Sequence, residues 1–171
     1  MVIETENLRL ISCDLEILEA AIQGNEMLSK KIQSIVPEYW TEFGLGAFQY
    51  SLERLKESEE ERNWWGYFPI HKLDNRLIGS GGYKGKPTHD GVVELGYEII
   101  PDYRNRGLAT EMTNGLIENA FKDSRVKSII AHTLGQKNPS VSVLMKCGFK
   151  KVGEIDDPED GLIWRWELTK K

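Results

Sequence analysis

Long hydrophobic runs are missing from this 171-residue chain, and no apolar stretch approaches the roughly 18 residues that cross a bilayer. The first residues, Met1 to Glu6, have neither the basic nor the apolar segment of a signal peptide. Cysteine is scarce as well, with Cys13 and Cys147 far apart and no CxxC pair. We therefore expect a cytoplasmic protein with two reduced thiols, no membrane partner, no disulfide framework and no metal site.

Positive charge is also in short supply. Lys and Arg number 22 against 27 Asp and Glu, which gives a formal net charge of −5. Because phosphate backbones are bound by concentrated positive charge, this balance argues against nucleic acid as a partner. An acidic protein is compatible with a basic, amine-bearing substrate. The sequence leaves open whether the chain forms a homodimer.

Hydrophobic periodicity predicts a single α+β domain over residues 1–171, in the order β-α-α-β-β-β-α-β-α-β-β. The predicted strands cover residues 7–11, 64–71, 76–82, 92–100, 128–134, 150–155 and 162–168. The predicted helices cover residues 15–22, 46–62, 108–121 and 139–148, with Asp14 and Asn138 as N-caps. Residues 25–45 have no clear assignment. Antiparallel hairpins around central βαβ steps indicate a mixed sheet.

The segment from Glu94 to Glu111 has the composition of an anion site. A strand ends, a basic loop with Gly107 follows, and a helix begins at once. The first amides of a helix have no partner within it, and the helix dipole adds positive charge, so together they bind phosphate groups. Arg104 and Arg106 strengthen this site, and Gly107 allows a ligand to approach the backbone closely.

Two common phosphate-binding motifs are missing, since there is no GxxxxGK[ST] and no GxGxxG after the first strand. The remaining pattern, Arg104-x-x-Gly107-x-Ala109, resembles the acetyl-CoA pyrophosphate loop of the GNAT superfamily of N-acetyltransferases. The segment from His132 to Phe149 is similar to the later half of the same fold. The likeness covers nearly the whole chain and is strongest to the branch with the ribosomal-protein alanine N-acetyltransferases.

The resemblance implies a GNAT fold, with a mixed central sheet whose middle strands splay apart after a bulge near Ile99. It implies that the pantetheine arm of acetyl-CoA pairs with the backbone of Ile99 and Ile100. It places the pyrophosphate on the backbone amides of Arg104, Asn105, Arg106, Gly107, Leu108, Ala109 and Thr110. Asn138 is a further cofactor contact or, alternatively, only a helix cap, because the spacing to Ser140 is shorter than the N-x-x-S of that branch.

Acetyl transfer to an amine needs a base for the amine and an acid for the leaving thiolate. Glu98 is the first candidate for the base because it lies beside the expected bulge, and Glu94 shares its strand face. Carboxylates in the loop Glu154 to Asp160, and His132, are weaker alternatives. No Tyr lies between Gly135 and Gly148, so Ser140 is the candidate acid.

We therefore predict an acetyl-CoA-dependent N-acetyltransferase that acts on a primary amine. A catalytically weak acyl-CoA-binding module of the same fold is the alternative, and a nucleotide-binding protein unrelated to CoA is a weaker third. Tyr39 and Trp40 are interpreted either as lining of the acceptor pocket or as core. The acceptor stays open among a protein N-terminus, an amino sugar, a polyamine and an amino acid.

Overall fold

Nine strands and five α-helices follow one another in this computed structural model, which describes every residue from Met1 to Lys171. The strands are β1 Val2–Glu4, β2 Leu8–Ser12, β3 Gly66–His71, β4 Arg76–Leu77, β5 Gly79–Tyr83, β6 Val92–Ile99, β7 Ser128–Leu134, β8 Lys150–Asp157 and β9 Gly161–Thr169. The helices are α1 Leu15–Gln23, α2 Asn25–Ile32, α3 Gly44–Glu57, α4 Leu108–Phe121 and α5 Pro139–Lys146. Short 3-10 turns cover Glu59–Glu61 and Pro101–Tyr103.

The strands form one sheet in the order β1-β2-β3-β5-β6-β7-β9-β8, with β4 beside β3. Every pair of neighbours along this order is antiparallel except β6 and β7. The predicted mixed α+β architecture is confirmed. No helix is both long and apolar enough to cross a membrane.

Helices cover both faces of this sheet, each over its own apolar core. On one face α4 and α5 pack against the sheet, and this core includes Leu95 of β6 with Met112 and Leu116 of α4. On the other face α1, α2 and α3 pack with β3, and Trp40 and Phe68 lie in that cluster. The central strands are therefore held between two layers of helices.

Local signals explain most of the elements. The Asp14 carboxylate accepts a hydrogen bond of 2.8 Å from the amide of Ile17 and starts α1. Helix α4 has the predicted bounds, and so does β7. Helix α2 was not predicted, and α3 begins at Gly44 and ends at Glu57, before the last charged residues that the sequence assigned to it.

Candidate active site

Strands β6 and β7 pair over only three residue pairs and then separate. The last pair joins Glu94 to Ile130, and β6 continues to Ile99 without its neighbour. The splayed central strands are therefore present. The expected bulge near Ile99 is wrong, because the register of β6 against β5 is unshifted along the whole pairing. The cleft opens at Leu95, where the strands diverge, and needs no extra residue in β6.

The free edge of β6 faces this cleft with its backbone. On the β5 side, the amide of Ile100 donates to the carbonyl of Ile78 at 2.8 Å, and hydrogen-bonded pairs recur at every second residue. The intervening residues turn their N–H and C=O groups away from β5, and those beyond the last pair with β7 are Tyr97 and Ile99. An extended ligand can add to this edge as a further strand.

The backbone pairing predicted at Ile99 and Ile100 is only partly available. The amide of Ile100 is bound by Ile78, and its carbonyl accepts from the amide of Tyr103 at 3.0 Å, so both backbone groups of Ile100 already have partners. The carbonyl of Ile99 accepts from Nε of Arg104 at 2.8 Å, which leaves the Ile99 amide. The sequence could not show this because strand register decides which groups are free.

A run of free amides lies at the end of this edge. Each backbone amide from Asn105 to Thr110 lacks a hydrogen-bond acceptor within the protein. Asn105 and Gly107 both have positive φ, 62° and 76°, and Gly107 is the N-cap of α4. A Cβ at Gly107 would meet no atom within 4 Å, so nothing in the protein covers this loop. The geometry is that of an anion-binding nest at a helix start.

Two arginines, one just before the nest and one within it, have no carboxylate partner. Arg104 is tied to the Ile99 carbonyl through Nε, which leaves its terminal nitrogens unused. Arg106 lies 4.8 Å from the centre of the Tyr103 ring and donates to the carbonyl of Asp102 at 3.1 Å. Neither guanidinium forms an ion pair within the protein, so both positive charges are available to an anion.

Helix α5 begins on the other side of the cleft. Oδ1 of Asn138 accepts from the amide of Val141 at 3.0 Å, so Asn138 is the helix cap, with its side-chain nitrogen left free. The hydroxyl of Ser140 makes no hydrogen bond within the protein. The backbone carbonyl of Ser140 instead accepts from the hydroxyl of Tyr97 at 3.3 Å.

Tyr97 is a site residue that the sequence reasoning missed. The family resemblance leads us to look for a tyrosine acid only within the last helix. The hydroxyl of Tyr97 instead reaches α5 from β6, across the cleft. Burial raises the pKa of Tyr97 well above its ordinary value, so the hydroxyl keeps its proton at neutral pH. Its place next to Glu98 on a predicted strand was the available signal in the sequence.

Glu94 and Glu98 share a face of β6 but have different partners. Oε1 of Glu94 lies 2.8 Å from Nζ of Lys84 and 2.9 Å from Nδ1 of His132. Burial raises the pKa of Glu94, but the hydrogen bonds from Lys84 and His132 outweigh it and leave that pKa below its ordinary value. Glu94 and His132 are therefore engaged with each other.

Glu98 has no cationic partner. Its Oε1 accepts from the hydroxyl of Ser80 at 2.9 Å, and both carboxylate oxygens accept from the amide of Glu42, at 3.1 and 3.0 Å. These bonds hold the carboxylate in place without neutralising it. Of the two predicted bases, Glu98 is the one whose carboxyl group has no cationic partner and could accept an amine.

The predicted acidic loop from Glu154 to Asp160 is wrong in its bounds, because Glu154 to Asp157 belong to β8 and only residues 158–160 form the turn to β9. The carboxylate of Asp157 accepts from the amides of Glu159 and Asp160 at 2.8 and 2.9 Å, and Glu154 pairs with Lys151. None of them forms a hydrogen bond or an ion pair with a residue of the cleft. No group of three or more His, Cys, Asp or Glu side chains is arranged to hold a metal ion.

A cavity of about 300 Å³ lies between α3 and the sheet face that carries Glu98. Its lining is mostly apolar and includes Phe43, Ala47, Phe48, Tyr50, Trp65 and Gly96. Neither Tyr39 nor Trp40 lines it. Trp40 is core, stacked 5.4 Å from Phe48, and Tyr39 is exposed at the surface.

Comparison with known proteins identifies the family. The sequence model described as "Acetyltransferase (GNAT) domain" matches residues 11–150, which is most of the chain. A curated relative is the uncharacterized N-acetyltransferase YjdG of Bacillus subtilis (strain 168), which is 25% identical over 150 residues. That match covers 87% of this chain and 89% of the relative.

Solved structures share the fold over nearly the full length. The ribosomal-protein-S5-alanine acetyltransferase from Vibrio fischeri has a TM-score of 0.72 at 17% identity, covering 99% of this chain and 96% of its own. RimL, a ribosomal L7/L12 alpha-N-protein acetyltransferase solved with coenzyme A, has a TM-score of 0.71 at 13% identity, covering 99% and 98%. At these identities the likeness shows the fold.

Proposed function

The chain belongs to the GNAT acetyltransferase family and is an N-acetyltransferase, and we propose that it transfers the acetyl group of acetyl-CoA to a primary amine. Residues 1–171 would act as one catalytic domain. The acceptor would be a protein N-terminus or a small-molecule amine. Two free cysteines, Cys13 and Cys147, support a reducing, cytoplasmic location.

One observation carries this proposal: the free edge of β6 is followed, after the short turn Pro101–Tyr103, by the run of unbonded amides. The amides from Asn105 to Thr110, with Arg104 and Arg106, would hold the diphosphate of acetyl-CoA. The carbonyl of Tyr97 and the amide of Ile99 would hold the pantetheine arm as an added strand. The free nitrogen of Asn138 could donate to the arm from the α5 side. When bound, acetyl-CoA supplies the acetyl thioester.

The residues of the cleft would then transfer protons and stabilise the negative charge that develops during the reaction. The carboxylate of Glu98 would take a proton from the amine as its nitrogen bonds to the carbonyl carbon. The amide of Tyr97, which points into the cleft farther from the diphosphate loop, would donate to the carbonyl oxygen as negative charge develops there. As the carbon–sulfur bond breaks, the hydroxyl of Ser140 or of Tyr97 would give a proton to the thiolate. The products are an amide and a free thiol. Glu98 is left protonated and the donor hydroxyl deprotonated, and proton exchange with water would restore both.

Two measurements on the full chain test the proposal. Calorimetric titration should show acetyl-CoA binding, and a panel of primary amines should then release free thiol from acetyl-CoA above the rate without amine. Absence of acetyl-CoA binding would contradict the proposal. Binding without amine-dependent thiol release would favour the alternative, an acyl-CoA-binding module without efficient chemistry.

A further inference from the structure

Gly96 is a glycine that the fold itself does not require. Added Cβ atoms at the nearby glycines Gly79, Gly81 and Gly82 would lie 2.0, 2.6 and 2.1 Å from other atoms, so packing explains those three. A Cβ at Gly96 would meet only the far end of Lys84, at 3.9 Å, and its φ is not in the left-handed region. Any side chain placed there would project into open space.

That open space is the cavity of about 300 Å³ beneath α3, and Gly96 forms part of its wall. Gly96 also belongs to the stretch of β6 that has separated from β7. Its own N–H and C=O face Gly82 of β5, and the next residue, Tyr97, turns its backbone groups to the cleft. The cavity therefore comes close to the cleft at this residue, where no side chain stands between them.

The chemistry of the cavity indicates what it holds. Aromatic rings of Phe43, Phe48, Tyr50 and Trp65 form much of its lining, and small residues face them. A volume of about 300 Å³ is at the small end of ligand pockets and suits a single ring or a branched alkyl group. Aromatic walls favour such an apolar group by burial and by ring contacts.

A carboxylate at the edge of the cavity indicates which charge the other end of a ligand would carry. Glu98 lies two residues from Gly96 on the same strand face, about 7 Å along β6, and has no cationic partner. Ser80, which lines the cavity, is hydrogen-bonded to Glu98, so the carboxylate stands at the cavity margin. Lys84 also lines the cavity, but Glu94 pairs with its ammonium group at 2.8 Å.

Resting on the proposed function, we propose that the acceptor is a primary amine with an apolar, ring-sized group two or three bonds from its nitrogen. The ring occupies the cavity beneath α3, the amine lies at Glu98, and Gly96 determines the specificity by leaving room between them. The same chemistry occurs in a small arylalkylamine and in a peptide with an N-terminal aromatic residue.

The test compares matched acceptors that differ in the ring. We expect kcat/KM for 2-phenylethylamine to exceed that for ethylamine by about tenfold or more, since even single buried methylenes give such factors. A peptide amide that begins with phenylalanine, compared with one that begins with alanine, distinguishes a peptide acceptor from a small amine. Gly96→Val should bring the ratio for the preferred pair close to one.

Gly153→Val is the matched control. Gly153 also lies within a strand, and an added Cβ there would meet nothing within 4 Å, but β8 is remote from the cavity. It should keep the wild-type ratio. If Gly96→Val fails to fold, Ala47→Phe fills the same cavity from α3 and should have the same effect on the ratio.

The outcomes separate the two proposals. Equal rates for ringed and ringless amines, or a preference that survives Gly96→Val and Ala47→Phe, would overturn the inference while the acetyl transfer stands. If no amine is acetylated, the proposed function fails and calorimetry decides the inference alone. Binding of 2-phenylethylamine to the wild-type chain, lost in Gly96→Val, would support the cavity as its site, and absence of binding would overturn it.

Discussion

The carboxylate of Glu94 and the imidazole of His132 lie 2.9 Å apart, and their contact joins β6 to β7 at the point where the pairing of these strands ends. Lys84 approaches the same carboxylate oxygen at 2.8 Å. Because Glu94 is engaged on both sides, we infer that it anchors the point where the cleft opens, whereas Glu98 is left for the amine.

The first prediction concerns the pH dependence of stability. Since the pKa of Glu94 is lowered in the folded chain, its carboxylate stabilises the fold above the ordinary pKa of 4.5, and this contribution is lost as pH falls through the folded value. Glu94→Gln should therefore lower the free energy of unfolding near pH 7, with the difference from wild type shrinking toward acid pH. Urea unfolding measured from pH 7 to pH 3 checks this.

Glu118→Gln serves as the control, because Glu118 is exposed on α4 and forms no ion pair. Its difference from wild type should stay near zero at every pH. A loss of stability in Glu94→Gln that does not change with pH would mean that the carboxylate charge contributes nothing to the contact with Lys84 and His132.

The second prediction concerns the amide nest. Gly107→Glu should abolish acetyl-CoA binding, because it places negative charge where the diphosphate would lie. The variant should still fold, since an added Cβ meets no atom within 4 Å and the backbone strain at φ 76° costs only about 1–2 kcal/mol. Calorimetric titration of the folded variant measures the affinity.

Gly107→Gln separates the effect of charge from the effect of size, because glutamine has the same size as glutamate and causes the same backbone strain. It should bind acetyl-CoA more tightly than Gly107→Glu. Unchanged affinity in Gly107→Glu would remove the assignment of the diphosphate to this loop.

The third prediction concerns the two flanking arginines. Both Arg104 and Arg106 are exposed, so Arg104→Ala and Arg106→Ala should each weaken acetyl-CoA binding by no more than about 1 kcal/mol. The losses should narrow as salt rises, because exposed charges are screened over about 10 Å at 0.1 M salt. Arg62→Ala, which removes an exposed arginine near α3, should not change the affinity. Losses that persist at high salt would indicate a desolvated contact instead.

Helix α2 shows where sequence reasoning lacked a physical signal. Its N-cap, Gly24, makes no side-chain hydrogen bond, and Leu28 is its only buried residue. Its C-cap is Gln33 in the left-handed region, φ 53°, where glycine is the usual signal. By contrast α1 and α5 carry capping side chains, Asp14 and Asn138, and both helices were predicted.

The candidate site also has one part that could be predicted from the sequence and another that could not. The loop from Arg104 to Ala109 could be predicted because its residues are contiguous and their chemistry is local. The cavity could not, because α3, β3, β5 and β6 each contribute part of its lining. The contact between Tyr97 and Ser140 likewise depends on how far β6 diverges from β7, which no local pattern encodes.

The fourth prediction concerns the base. Glu98→Gln should lower kcat on the order of 10²–10⁴-fold with little change in acetyl-CoA affinity, because positioned proton transfer is worth about that much. The acidic limb of the pH–rate profile should shift or vanish in the same variant. Glutamine keeps the size of the side chain and can still accept from Ser80 and the Glu42 amide, so the fold should persist. Near wild-type kcat would show that the amine loses its proton to water.

The last prediction decides between two hydroxyls as the acid. The hydroxyl of Tyr97 reaches the start of α5 and keeps its proton, whereas that of Ser140 has no partner to orient it. If Tyr97 protonates the thiolate, Tyr97→Phe should lower kcat, and the loss should shrink with an acetyl thioester whose thiol is more acidic. Ser140→Ala should show that dependence only if Ser140 is the acid. A better leaving group needs less help from an acid, so this comparison separates proton donation from a structural role. Loss of kcat in Tyr97→Phe that is the same for both thioesters would mean that Tyr97 only braces β6 against α5.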